Sequence, residues 1–329
     1  MSDVSVFFAN DGVDGIQLWR TDGTAAGTFA LTAFPLSFST AGPSPITLVD
    51  GVEYFTIGSG AVLQLWRSDG TVAGTFEVGA SGDSPSFEAP KVVQAGANVF
   101  YVGVDSSHGL GLFDSIGTQP GQFVAPITSS DPSAPGFEFL GAVGSDLLFN
   151  VGGVVWVSDG TGAGTHALSD GEANAGLRFA SGPVTVGGQG YLVATDSTNN
   201  SQLWRINGAS TATAVGSAIT GTNLGSLKAV GNDLIFTAAG TPSAQTLLQS
   251  WDGVAPSSST IFAGFSAGPF LPPQDGKLFF QTSHGSIGAD LFVTDGSVAG
   301  THEVTPGGFT VAIEDGANFV LAGFIPRAR

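Results

Sequence analysis

Cysteine is absent from this 329-residue chain, which excludes disulfide staples, thiolate metal sites and a cysteine nucleophile. Cations are scarce. Nine Lys and Arg stand against 27 Asp and Glu, giving a net charge of −18. Nucleic acid and anionic membrane surfaces are thereby excluded as partners, because both need clustered cations to neutralise phosphate. No apolar run reaches the roughly 18 residues of a membrane span, so membrane insertion is not expected. The start, Met1-Ser2-Asp3-Val4, has no basic segment followed by an apolar one, so a leader is expected to be absent or already removed. Histidine occupies only four positions, with neither HxH nor HExxH spacing, and the chain has no G-K-[ST] phosphate loop. Nucleophilic catalysis is not expected.

What is plentiful is glycine, with 50 residues, and hydrophobic side chains, at 42% of the chain. Few Lys and Glu with much Gly, Ser and Thr disfavours helix and suits strands joined by turns. The chain is also repetitive. Residues 18–28 read LWRTDGTAAGT, 65–75 LWRSDGTVAGT, 155–165 VWVSDGTGAGT and 291–301 LFVTDGSVAGT. Weaker copies lie at 112–122, 203–213 and 248–258. Corresponding positions fall at Asp22, Asp69, Ile116, Asp159, Asn207, Asp252 and Asp295, in steps of 47, 47, 43, 48, 45 and 43. A period of this length with several short strands per unit marks a propeller rather than a helical solenoid.

One unit divides into four strands: A at 137–143, B at 147–151, C at 154–157 and D at 165–168. The expected fold is all-β, a seven-bladed β-propeller of four-stranded antiparallel blades, with an eight-bladed or open array as the alternative. It is read as one domain over 1–329, with repeats near 1–45, 46–90, 91–136, 137–181, 182–225, 226–269 and 270–309. Residues 310–329 form a closing segment. The chain opens at a B strand and ends with an A strand near 310–314 and a B-like strand at 318–324, so one B strand is surplus. That surplus strand is the expected contact of a homo-oligomer, if there is one.

These repeats resemble the bacterial sequences written E-L-W-x-[ST]-D-G-T-x-x-G-T, found in large secreted and surface-associated proteins. Gln17, Gln64 and Gln202 stand where that pattern has Glu. The resemblance implies an extracellular or cell-surface β-propeller and no specific activity. The turn also resembles the Asp-box of sialidase propellers, with different spacing. The arginine triad that sialidases need finds no match, since Arg20, Arg67 and Arg205 occupy one repeated position.

The DGT aspartates Asp22, Asp69, Asp159, Asp252 and Asp295 are read as turn-formers, because catalysis needs one constellation and not copies around a ring. Trp19, Trp66, Trp156 and Trp204 share one strand-C position and are read as packing between blades. Short A–B and C–D turns are expected on one face, and dissimilar D–A links and B–C loops on the other, where recognition usually sits. Ligand-binding candidates on that second face are Asp11, Asp14, Phe38, Phe87, Asp105, His108, Asp196 and His284. No cofactor is expected. The alternative is Ca²⁺, with Asn10, Asp11 and Asp14 as ligands in a glycine-containing loop, although no D-x-[DN]-x-[DN]-G run is present. The functional expectation is a non-catalytic binding or scaffold module for glycan or a surface protein. The alternatives are a polysaccharide hydrolase or lyase using loop carboxylates, and a self-assembling structural protomer.

Overall fold

A computed structural model describes residues 4–10, 12–35, 46–59, 62–82, 92–105, 107–115, 121–127, 136–169, 176–196, 201–208, 211–216, 219, 222–240, 246–255, 257–283, 289–315 and 318–324. Among them there is no α-helix, and every strand pairing between named strands is antiparallel.

The first sheet holds β1 (Ser5–Asn10), β2 (Ile16–Thr21) and β3 (Phe29–Ala30). The second holds β4 (Thr47–Val49), β5 (Val52–Ser59), β6 (Val62–Ser68) and β7 (Phe76–Gly82). The third holds β8 (Val92–Ala95), β9 (Asn98–Asp105), β10 (Gly109–Ser115) and β11 (Gln122–Pro126). The next four strands are β12 (Phe137–Val143), β13 (Asp146–Val151), β14 (Val154–Ser158) and β15 (His166–Ala167). They are followed by β16 (Arg178–Val186), β17 (Gln189–Thr195), β18 (Ser201–Ile206) and β19 (Ala212–Ala214), hydrogen-bonded to the preceding group through Val154 and Arg178. The last eight are β20 (Thr222–Val230), β21 (Asp233–Ala239), β22 (Thr246–Trp251), β23 (Ser259–Phe270), β24 (Leu278–Ser283), β25 (Ala289–Thr294), β26 (His302–Asp315) and β27 (Asn318–Phe324).

Five A–B hairpins (β4–β5, β8–β9, β12–β13, β16–β17 and β20–β21) have two-residue turns, and φ values at such turns show why. Asp50-Gly51, Gly187-Gly188 and Asp275-Gly276 place both central residues at φ between +49° and +77°, as the twist of a tight hairpin requires. Two D–A connections differ from expectation. β23 and β26 run without a break from the D position of one group to the A position of the next, so no loop separates them. The A strand of the last full repeat lies in β23, ahead of Leu271–Gln274, where only Gln274 bridges Lys277. Pro272 and Pro273 lack the N–H that a ladder needs. The expected terminal A–B hairpin forms, with β26 pairing β27 from Asp315↔Asn318 to Phe309↔Phe324.

The chain forms two compact units, one of Met1–Gly152 with Trp156–His166, the other of Gly153–Val155 with Ala167–Arg329. In the first, adjacent residues of one strand feed opposite layers. Phe55 packs with Leu18, Leu31 and Phe34, while Tyr54 packs with Tyr101, Val92 and Phe113. Phe100 faces a third layer with Leu112, Leu147 and Phe149. This explains strands that are apolar on both faces: the second and third sheets are each covered twice. The second unit repeats the scheme, with one layer around Tyr191, Phe236 and Trp251 and another around Ile235, Leu248 and Phe280.

The repeated Leu-Trp pair splits between the two faces. Leu18, Leu65, Leu112 and Leu203 are essentially inaccessible, whereas Trp19, Trp66 and Trp156 are half-buried and Trp204 is buried. Trp66 meets Phe34 edge-on at 4.9 Å, and Trp156 stacks on Phe149 at 6.2 Å.

The glutamine at 17 has a local cause. It is 2% exposed, and its Oε1 accepts from the Phe34 N–H (2.7 Å) and the Thr32 hydroxyl (3.1 Å). Its Nε2 donates to the carbonyls of Asp14 (2.8 Å) and Phe34 (3.1 Å). A glutamate could make only the first pair and would turn a buried charge onto two carbonyl oxygens.

Candidate functional site

Four C–D turns share one hydrogen-bond network. An Asp Oδ1 accepts from the N–H and the hydroxyl two residues on: Asp22 from Thr24 at 2.9 and 2.7 Å, and Asp159 from Thr161 at 2.8 and 2.7 Å. Asp69 with Thr71 and Asp295 with Ser297 repeat it. That hydroxyl accepts from the N–H of Gly27, Gly74, Gly164 or Gly300, and a closing threonine donates back to the carbonyl of the hydroxyl residue. The two glycines of each turn have separate causes. The first sits at φ +81° to +94°, which glycine alone adopts without strain. A Cβ on the second would stand 2.0–2.3 Å from the aspartate carboxyl group. These carboxylates are thus engaged although they lie at the surface, and the hydrogen bonds from Thr24, Thr161 and Ser297 hold Asp22, Asp159 and Asp295 below the usual carboxylate range.

The turn at 252–258 departs from this plan, and a cleft opens there. Residue 254 is Val, so Asp252 Oδ1 accepts from two backbone groups, Val254 N–H at 2.9 Å and Ala255 N–H at 2.6 Å. Ser257 stands where the other turns have the second glycine. The resulting cleft of about 320 Å³ lies within the second unit. Its walls are Asp233, Ser250, Trp251, Asp252, Ser257 and Ser259, together with Ala255, Ile261 and the Gly296–Val298 turn. Ser250 is 7% exposed, and no hydrogen bond links its hydroxyl to another protein group among the described residues. Trp251 is held edge-on to Tyr191 at 6.0 Å and donates Nε1–H to the Ala255 carbonyl at 2.9 Å, so it forms a fixed wall.

Burial pushes the Asp233 carboxyl above the usual range, and the neighbouring Asp252 and Asp295 push it the same way. Asp252 is held low by the N–H groups of Ala255 and Val254. Two carboxyls with divergent proton affinities therefore share a cleft with hydroxyls, an arrangement suited to holding a cationic group or to moving a proton.

The residues expected at the site are distributed differently. Asp11, Phe38, Phe87 and His284 lie outside the described residues. Asp105 ends β9. His108 stacks on Phe123 at 4.0 Å within the third sheet. Asp196 accepts from Gln202 Nε2 at 2.8 Å. Asn10 Oδ1 accepts from the Gly12 N–H, and Asp14 lines a smaller cavity of about 270 Å³ with Gln17, Trp19 and Phe34. Among the described residues, no group of three or more His, Asp or Glu is placed to hold a metal ion, and no helix is long and apolar enough to cross a membrane.

Sequence reasoning missed Asp233, Ser250, Ser257 and Ser259, because it treated all A–B and C–D turns as equivalent. The signal was present: the copy at 252–258 reads DGVAPSS, without the threonine and second glycine that close the others. Also missed was Gly264-Phe265-Ser266-Ala267-Gly268, which matches G-x-S-x-G. Ser266 lies inside β23, its backbone paired with Ser283, and not on a strand-to-helix turn, so it forms no nucleophile elbow.

No family model matches the chain, and no curated protein matches it. Solved structures do. A prolyl endopeptidase is similar at 16% identity and a TM-score of 0.44, over 92% of this chain and 47% of its own. Prolyl oligopeptidase B from Galerina marginata follows at 11%, 0.46, 92% and 49%. The β-propeller domain of the Trilobed protease from Pyrococcus furiosus, described as having an open velcro topology, gives 10%, 0.42, 92% and 94%. The chain spans about half the length of the oligopeptidases. These likenesses concern fold.

They correct the functional expectation. The solved structures the chain is similar to are propeller-containing peptidases, and the reading as a non-catalytic glycan or surface-binding module does not stand.

Proposed function

We propose that the chain is a seven-bladed, peptidase-type propeller module that binds polypeptide. Seven successive C–D strand pairs at steps of 43–48 residues support the blade number, as does the resemblance to the bacterial E-L-W-x-[ST]-D-G-T-x-x-G-T repeats. That resemblance also supports an extracellular or cell-surface setting. The single observation that carries the polypeptide reading is the cleft at Asp233 and Asp252. Its volume of about 320 Å³ suits one side chain or a short peptide segment. Its free hydroxyls match the donors and acceptors of a peptide backbone, and its fixed tryptophan wall can cover an aliphatic stem.

The test uses the full chain with fluorescently labelled, unfolded casein. Anisotropy reads binding, and mass spectrometry of the mixture reads cleavage. Saturable binding, with or without cleavage, is the expected result. Neither binding nor cleavage, from a chain whose β-sheet circular dichroism is intact, would overturn the proposal.

A further inference from the structure

The cleft has a chemical character more specific than polypeptide in general. Two of its walls are carboxylates on different strands and turns. Asp233 begins β21 beside the turn of the following repeat: a Cβ on Gly296 would stand 2.7 Å from Asp233 Oδ2. Asp252 spends one oxygen, Oδ1, on the Val254 and Ala255 N–H groups, and no hydrogen bond to its Oδ2 is present among the described residues. Ser250, more than nine-tenths buried, lines the same space with its hydroxyl unengaged, and Ser257 and Ser259 line it too. A metal ion does not fit, since among the described residues no three carboxylates or histidines converge. An anion would meet two carboxylates within a chain of net charge −18. A cation carrying several N–H donors has partners on every side: two carboxylates, three hydroxyl oxygens and the packed face of Ile261 for its stem.

We infer that the Asp233–Asp252 cleft is the specificity pocket of the polypeptide site and takes the side chain of a lysine or arginine. This rests on the polypeptide reading above and names the residue class that it selects. Asp233 and Asp252 receive the ammonium or guanidinium group, and Ser250 accepts from one of its N–H donors. The raised proton affinity of Asp233 agrees with a carboxylate left without a counterion, a deficit that a bound cation removes. Lys277 acts on the adjacent Asp295.

The experiment measures anisotropy of the intact chain with labelled alanine-rich hexapeptides bearing a central Lys, Arg, norleucine, citrulline or Glu. The Lys and Arg peptides are expected to bind at least about tenfold more tightly than the uncharged ones. Asp233→Asn is expected to abolish that preference. Asp146→Asn removes the same charge from a corresponding position in another repeat and is expected to preserve it. Ser250→Ala is expected to weaken the Arg peptide more than the norleucine peptide. Butylamine and guanidine serve as competitors, and they displace the peptide only at far higher concentration if the ligand is a polypeptide. Competition at equal concentration would assign the cleft to a free amine and overturn the peptide claim. Equal losses in Asp233→Asn and Asp146→Asn would reduce the preference to the overall field and overturn the pocket. If all peptides bind alike and the variants change nothing, the cleft assignment falls while the polypeptide reading stands. If no peptide and no casein binds, both fall.

Discussion

The second glycine of the D-G-T-x-x-G-T turn gives a sharp energetic prediction. At Gly164 the backbone is not in the left-handed region, so alanine is conformationally allowed, yet its Cβ would stand 2.1 Å from Asp159 Oδ1 and 2.2 Å from its Cγ. The carboxylate must move, which breaks its bonds to the N–H and hydroxyl of Thr161 at 2.8 and 2.7 Å. Two such bonds at about 0.5–1.5 kcal/mol each put the cost of Gly164→Ala at about 1–3 kcal/mol. Asp159→Ala loses the same two bonds and is expected to cost a similar amount. In the Asp159→Ala background the obstacle is gone. There Gly164→Ala should be neutral, or stabilise by up to about 1 kcal/mol by restricting the unfolded chain. The double variant is therefore expected to be no less stable than Asp159→Ala alone.

Urea unfolding of the four proteins, combined with amide exchange at Thr161 and Gly164, reads both the whole chain and the turn. The local probe is needed because a repeat array does not necessarily unfold in one step. Costs that add within about 0.5 kcal/mol would show that glycine and carboxylate are energetically independent, and the account of the motif would be wrong.

Further expectations follow from the same geometry. Gln17→Glu buries a carboxylate against the Asp14 and Phe34 carbonyls and should cost about 3–5 kcal/mol at neutral pH. The loss should shrink as acid protonates the new side chain, so a pH-independent loss in thermal denaturation would refute the cause. Phe55→Ala, at a side chain with no exposed surface, should cost about 3–5 kcal/mol in urea unfolding. An acid titration of stability should show a drop on the acid side of about pH 4. Asp22, Asp159 and Asp295 have depressed folded-state values, so their contribution is complete above the unfolded value and disappears as pH falls through the folded one. Asp233 runs the other way, and Asp233→Asn should raise the thermal midpoint at neutral pH. Millimolar EDTA should leave that midpoint unchanged, and a clear fall would revive calcium at the loop containing Asn10 and Asp14.

The sequence by itself determined the strand order, the hairpin turns and the turn motif, because each is a local rule. Positive φ selects the first glycine, carboxylate capping selects Asp and Thr, and alternation over five to eight residues selects a strand. Residues 137–143 illustrate this, read as a strand and found as β12. Where proline removed a backbone donor, at 272–273, the local reading slipped by several residues and missed the continuous strand β23. The candidate site was largely illegible. Asp233 and Ser250 are 17 residues apart and belong to separate strands, and the Gly296–Val298 wall comes from the next repeat. Only the packing of one sheet edge against its neighbour's turn converts a lost glycine and three serines into a carboxylate-lined cleft. Burial and mutual repulsion, which set the proton affinity of Asp233, exist only once those segments are brought together.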